Sequence, residues 1–491
     1  MTLPYYIIVP LFAAFLITLI AGRKDGWGIT ISMIAAVSLL IISVYDFATL
    51  GGESETLVMG GWIVPIGIVL VKDALSCFML IITSLIATTT LLYSIQYVRH
   101  LSQDWKYYAL FMLLLTGMNG VLITGDLFNL FVFMEIALLA AFALVAFGGR
   151  AEEFEAAFKY AVMGSVSSSI VLVGIAVTYS ATSTLTMANI AESLRASAPA
   201  LTLWIGAIFL AGFGLKAAAM PFHAWLPDAH SSAPAPISSM LSGVLIKVLG
   251  IYVIIRLFYH VLGAPRLFLT FFLVLGAISV IISGVLSVGQ WDIKRLLAYS
   301  SISQIGYILL GLGIATPLGI LGAVFHLFNH AIFKSLLFYN AGSAELVSGT
   351  RDIRKMGALG KIIPVTSGTS LIASLAISGI PPFNGFFSKL LIIIALVQSG
   401  QPYYAVIAIV GSLLTLAALM KVQRHGFHGD AVPVAPKERI GFNMDLAMII
   451  LAVICVVSSL LIVPGIKEVT LQPIVDVIMH GSDYTQLVMG R

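Results

Sequence analysis

An all-α polytopic membrane protein with about fourteen transmembrane helices, two inverted five-helix repeats and two broken helices is predicted by three features of the 491-residue chain. Hydrophobic residues make up 59% of it and charged residues only 10%, whereas a soluble globule carries about a quarter charged residues. Apolar runs long enough to cross about 30 Å of hydrocarbon recur from one end to the other. Two of those runs, FGLKAAAMPFHAW and GIPPFNGFFSKLL, each join a Gly/Pro break to one lysine, and a broken helix beside a charge is a transport-site signature.

Taken in order, the spans fall near 4–22, 28–50, 71–98, 107–125, 127–148, 156–179, 201–220, 236–260, 267–289, 296–315, 317–344, 362–398 (broken at Pro381 and Pro382), 402–421 and 443–464. The first has no basic residue before it and is followed by Arg23 and Lys24, the reverse of a signal peptide, so it is expected to be retained. Residues 1–106 form an N-terminal three-helix segment and 422–491 a C-terminal loop, last helix and tail. Between them the two broken runs place one five-span unit at 107–260 and a second at 267–421. An odd number of spans per unit inverts the second relative to the first.

Basic residues in the connections set the orientation. Sixteen fall on one side, including Arg23, Lys24, Arg150, Lys294, Arg351 and Lys437, against Arg195, Arg266, Lys467 and Arg491 on the other. Positive charge marks the inner side, so both termini are expected outside. The two cysteines, Cys77 and Cys455, lie in apolar runs, which gives no disulfide framework, zinc motif or iron–sulfur ligand set. No cofactor or metal is expected. The net charge of +4 is spread over many loops, against nucleic-acid binding.

Six basic residues remain within or at the edges of spans: Lys72, Lys216, Lys247, Arg256, Lys334 and Lys389. An embedded lysine costs about 2.5–3.5 kcal/mol on insertion scales, so each needs a reason. Lys72 and Arg256 lie close enough to span ends to act as snorkelling anchors. Lys216 stands at the first break, with His223, Asp228 and His230 soon after it. Glu135 is the only acid clearly mid-span, and such a carboxylate is neutral or paired with a cation; a structural tie between two helices is the plainer reading. Asp126 is expected to be a cap or loop residue. His326, His330 and Lys334 recur at i, i+4 and i+8, on one helix stripe. A haem or quinone pocket would also use histidines, but no second span offers a central one.

GDLFNLFVFMEIALLA around Glu135, LKAAAMPFHAWLPDAHSSAPAPISSMLSGVLIKVLGIYVIIR around Lys216 and Lys247, KRLLAYSSISQIGY, HLFNHAIFKSLLFYNAG around His330 and SGIPPFNGFFSKLLI around Lys389 resemble the antiporter-like subunits shared by respiratory complex I, membrane-bound hydrogenases and Mrp-type sodium/proton antiporters. Within that family the GDLFNLFVFMEI wording and the lysine at 389 are most similar to the Mrp D branch and its hydrogenase counterpart. The resemblance runs from about residue 70 to 425. It implies fourteen helices, two inverted repeats and a proton axis of Glu135, Lys216, Lys247, His330 and Lys389, with His223, Asp228, His230, His326 and Lys334 as supporting or access groups. It also implies a prokaryotic cell membrane, other membrane subunits as partners and protons as cargo, and it leaves sodium passage open. Two alternatives stay open at this stage: a hydrogenase or NADH:quinone oxidoreductase as the parent complex, and an ordinary secondary transporter of a small solute.

Overall fold

Prolines and short capping side chains start most of the helices in a computed structural model of the protein, which describes residues 2–21, 26–50, 54–100, 104–429 and 439–488. Arg23, Lys24, Lys437 and Arg491, used for the orientation, lie outside the described residues. An N-terminal group comprises α1 (Tyr5–Leu16), α2 (Trp27–Thr49), a two-stranded antiparallel hairpin of β1 (Glu55–Val58) and β2 (Val69–Lys72), and α3 (Ala74–Tyr97). The first unit follows: α4 (Asp104–Ile123), α5 (Leu127–Val145), α6 (Ala151–Thr182), a short amphipathic α7 (Met187–Arg195), the broken pair α8 (Pro199–Lys216) and α9 (Trp225–Ser232), and α10 (Ala235–Val261). The second unit comprises α11 (Arg266–Gly289), α12 (Ile293–Ile314), α13 (Pro317–Ser348), the broken pair α14 (Pro364–Ser378) and α15 (Asn384–Gln398), and α16 (Pro402–Val422). After α17 (Phe442–Val457) and a single turn at Ile466–Thr470 come two short helices, α18 (Gln472–Met479) and α19 (Gly481–Val488).

Among the described residues, twelve helices are long and apolar enough to cross a membrane, and Tyr5–Ile20 and Asn384–Gln398 are shorter apolar helices. Counting those two as spans would give the expected fourteen; length and composition alone give twelve. Pro199, Pro317, Pro364 and Pro402 sit in the first turn of their helices, where a missing N–H costs nothing.

The inverted repeat is visible in the backbone. Asp126 caps α5 by accepting from the Asn129 N–H (2.7 Å), and Asp292 caps α12 by accepting from the Arg295 N–H (3.0 Å). Each aspartate also forms a bridge to the segment that follows the next helix, Asp126 with Thr186 and Asp292 with Asp352, at the same spacing in both units. The intervening helices, α6 and α13, are each 32 residues long. The bridges lie at opposite ends of the bundle. Asp292 belongs to a polar face where Arg351 binds both Glu152 (2.7 Å) and Asp292 (3.2 Å), and Lys294 binds Glu345 (2.6 Å). Arg150, just past the far end of α5 from Asp126, reaches that same face through Glu345.

Helices α10 and α13 occupy the centre: their most apolar windows are completely buried, and that of α12 nearly so. Much of α10 is wound as π-helix, at Leu241–Leu245, Lys247–Tyr252 and Arg256–Val261, and such turns are frequent at functional sites.

The expectation that Lys72 and Arg256 snorkel is corrected. Both are buried. Lys72 binds Asp46 (3.1 Å) and Glu55 (2.9 Å). Arg256 forms a two-pronged pair with Asp73 (2.6 Å for each bond) and donates from Nε to the Tyr252 hydroxyl (2.9 Å). Tyr484 of α19 lies over the same guanidinium at 5.4 Å, so the tail packs down on this end of α10. The anchoring reading fails because the carboxylates that neutralise these two cations lie elsewhere in the fold.

Candidate functional site

The first group of the site joins three helices. Lys216, at the C-terminal end of α8, donates from Nζ to Ser168 Oγ on α6 (2.9 Å), and that hydroxyl donates to Glu135 Oε1 on α5. Glu135 and Lys216 are thus coupled through a serine. Lys216 and Ser168 are buried and Glu135 is partly exposed. The Trp225 indole of α9 donates to the Leu215 carbonyl (2.9 Å), so the break satisfies one of the acceptors it frees. Beside Lys216 is a cavity of about 10 Å³ walled by Tyr160, Trp225, Leu245 and Leu249 among others, about the volume one water needs.

Helix α10 rests directly on this break. A Cβ at Gly250 would lie 2.5 Å from the Ala217 Cα, so only glycine permits α10 to approach the break this closely. Lys247 is fully buried and donates to the Ser242 carbonyl inside the π-wound segment. Ser242 Oγ in turn bonds Ser301 Oγ of α12 (2.8 Å).

Along α13 the three predicted groups fall on one stripe and all are fully buried. Lys334 Nζ donates to the Leu297 carbonyl (2.8 Å) and to Ser300 Oγ. His330 has no hydrogen-bond partner on either ring nitrogen among the described residues, and the charges of Lys247, Lys334 and Lys389 all act on it. His326 Nδ1 bonds Ser388 Oγ (3.0 Å), and its ring lies 6.3 Å from that of His330.

At the far end Lys389 of α15 donates to the Ile377 carbonyl at the second break (2.7 Å) and stands 4.4 Å over the ring of Tyr307 on α12. Among the described residues no carboxylate pairs with Lys247, Lys334 or Lys389, whereas all the ion pairs found lie at the polar ends. Three lysines and two histidines therefore share a low-dielectric interior without an acid, and they cannot all carry a proton together.

The supporting residues divide. His230 of α9 is fully buried with both ring nitrogens unpartnered among the described residues, within the electrostatic reach of Lys247 and Lys334. His223 is partly exposed, with Nδ1 3.3 Å from the Pro221 carbonyl oxygen. Asp228 lies outside the buried row: it pairs with Lys159 (3.1 Å) and Arg295 (3.0 Å) on the polar face, in the wall of a 310 Å³ cavity. Nothing in the geometry ranks Lys334 below Lys247 or Lys389. Sequence reasoning missed Ser168 and Tyr307. The serine run at 167–169 in an otherwise apolar span was the available signal for the first; a tyrosine among apolar residues gives none for the second.

A family model described as NADH:quinone oxidoreductase/Mrp antiporter, TM, matches residues 124–415. The D subunit of a Na(+)/H(+) antiporter from Alkalihalophilus pseudofirmus is 32% identical over 492 residues, covering 98% of this chain and 99% of the relative. The N subunit of an NADH-quinone oxidoreductase from Desulforudis audaxviator is 34% identical over 442 residues, 88% of each. Among solved structures, a chain of the Mrp complex from Dietzia sp. DQ12-45-1b superposes with a TM-score of 0.93 at 27% identity, covering 100% of this chain and 99% of that one. A chain of the membrane-bound sulfane sulfur reductase, an archaeal respiratory membrane complex, superposes with a TM-score of 0.92 at 30% identity, covering 99% of each. With a match over more than half its length and relatives of this identity along nearly all of it, the chain belongs to the NADH:quinone oxidoreductase/Mrp antiporter membrane family.

Proposed function

We propose that the chain is the proton-carrying, D-type component of a multisubunit cation/proton antiporter, and that protons move along Glu135, Lys216, Lys247, His330 and Lys389, with Lys334 and His326 in the same row. The observation that carries this reading is the buried succession of titratable side chains between two helix breaks, with a carboxylate at one end only. Ser168 accepts from Lys216 and donates to Glu135, so a change in the carboxylate's position or charge is felt at the ammonium. A nearby carboxylate favours a protonated lysine and burial disfavours it; weakening the first term releases the proton. Water at the Lys216 cavity would take the proton from Lys216 and start its passage towards Lys247. A proton arriving at Lys247 repels those held on His330, Lys334 and Lys389, so loading one end favours release at the other.

Residues 107–260 and 267–421 are taken as the two repeat units, 1–106 as the N-terminal segment and 422–491 as the C-terminal one. The polar face carrying Lys159, Lys294, Arg295 and Arg351 is assigned to the cytoplasmic side of a prokaryotic membrane, with both termini outside. Other membrane subunits are the expected partners, since the relatives work in complexes. Sodium is assigned to a partner: a sodium ion needs several oxygen ligands, and Glu135 is the only carboxylate in the row. A redox-driven pump is the second reading, favoured by the identity to the oxidoreductase's N subunit; purification with hydrogenase or dehydrogenase subunits instead of small membrane subunits would select it.

Replacing Lys247 by methionine separates transport from folding. A buried, unpaired lysine is a net cost that an apolar residue of similar shape removes. The variant is expected to assemble with equal or higher thermal stability and to lose proton transport in everted vesicles. Normal transport would remove Lys247 from the path.

A further inference from the structure

We infer that Tyr307 is the counter-group of Lys389, its aromatic ring holding the ammonium in place where the first unit uses a carboxylate. The inference rests on the proton-carrying reading above and adds a residue to it. In the first unit the lysine at the break is coupled to Glu135, which lies a fixed distance along α5 from the capping Asp126. The residue at the same distance from Asp292 in the second unit is Ser301, which bonds Ser242. The acid is therefore missing from the place where the repeat would put it.

What Lys389 has instead is a π face. Its Nζ lies 4.4 Å from the centroid of the Tyr307 ring, and its one hydrogen-bond acceptor among the described residues is the Ile377 carbonyl. A desolvated ammonium over an aromatic face is attracted by the ring's quadrupole, and more strongly than at an exposed site. The ring is fixed from behind. Tyr307 is fully buried, and its hydroxyl donates to the Ala408 carbonyl (2.5 Å) and bonds Ser412 Oγ (2.9 Å) on α16. Space for that hydroxyl comes from Gly411, where a Cβ would lie 2.9 Å from it. The titratable groups facing this corner are His326, His330 and Lys334 of α13, and Lys247 of α10 acts on the same histidines. All are basic. The ring thus offsets part of the burial cost of the protonated lysine without supplying a proton acceptor, which leaves the proton free to move on. Tyr307 is a positioning residue in this account, and its hydroxyl serves only to orient the ring.

The test places phenylalanine and its mono-, di- and trifluorinated forms at position 307 of the full chain in its complex, and follows proton transport in everted vesicles across pH, with membrane levels checked for each variant. Tyr307→Phe, which keeps the ring face and loses only the bonds that orient it, sets the reference level for the series. Each added fluorine withdraws density from the ring face, so transport should fall stepwise, on the order of tenfold over the series, and the pH at which it fails on the alkaline side should move lower as the ammonium loses support. Tyr307→Leu should resemble the trifluorinated form. A flat series, in a complex where Lys389→Leu abolishes transport, would overturn the inference and leave the proton pathway standing. Retained transport in Lys389→Leu would remove both.

Discussion

Glu135→Ala and Lys216→Ala should each abolish proton transport while the protein still reaches the membrane and assembles. Neither side chain holds the fold: Glu135 is partly exposed, and both are linked to the bundle through the single hydroxyl of Ser168. Removing the carboxylate leaves the ammonium in a buried site with only that hydroxyl as partner, and the proton-binding form is lost. Ser168→Ala should be graded between these and the wild type. It deletes a bond to a charged group, worth about 1.5–3 kcal/mol, but leaves both charges in place. Transport assayed in everted vesicles alongside the membrane level of each variant decides it, and near-normal transport in either alanine variant would take that residue out of the path.

The opposite pattern is expected at the buried pair of Arg256 and Asp73. Arg256→Ala leaves Asp73 buried without a partner, and breaking such a pair by removing one member costs about 3–5 kcal/mol. The two hydrogen bonds of 2.6 Å, the Tyr252 hydroxyl and the overlying Tyr484 ring are lost together. The variant should show a lower thermal midpoint and reduced membrane level before any effect on transport is seen. Asp73→Asn combined with Arg256→Met should recover much of the loss, since replacing both members with uncharged groups removes the desolvation penalty as well as the attraction. A stable single variant would mean that the pair contributes little to holding the tail and α10 together.

These two pairs mark what the chain disclosed and what it withheld. Lipid admits only helices and closed barrels as spanning structures, and runs of about 20 apolar residues are of helical length, so they translate almost directly into helices, and the two Pro breaks into the pairs α8/α9 and α14/α15. Burial cost and the helix breaks singled out Glu135, Lys216, Lys247, Lys334 and Lys389, because an embedded charge stands out against apolar neighbours. Partners were not legible. Arg256 lies 183 residues from Asp73, and proximity to a span end suggested an anchor where the fold supplies a carboxylate. Ser168 could be suspected as one of three consecutive serines but not assigned, since serine in a membrane helix more often bonds its own backbone. The π-wound turns of α10 arise from packing and have no local signature. The hairpin strands, of four residues each, and the short helices α7, α18 and α19 lie below the length at which an apolar run is informative.

The central claim is that this chain carries protons and that sodium passes elsewhere. Reconstituting the full chain in liposomes, and following internal pH and radioactive sodium separately, tests it most directly. The account predicts proton movement that is abolished by Glu135→Gln, with sodium uptake no greater than in empty liposomes. Sodium uptake by the wild-type chain that disappears with Glu135→Gln would contradict it.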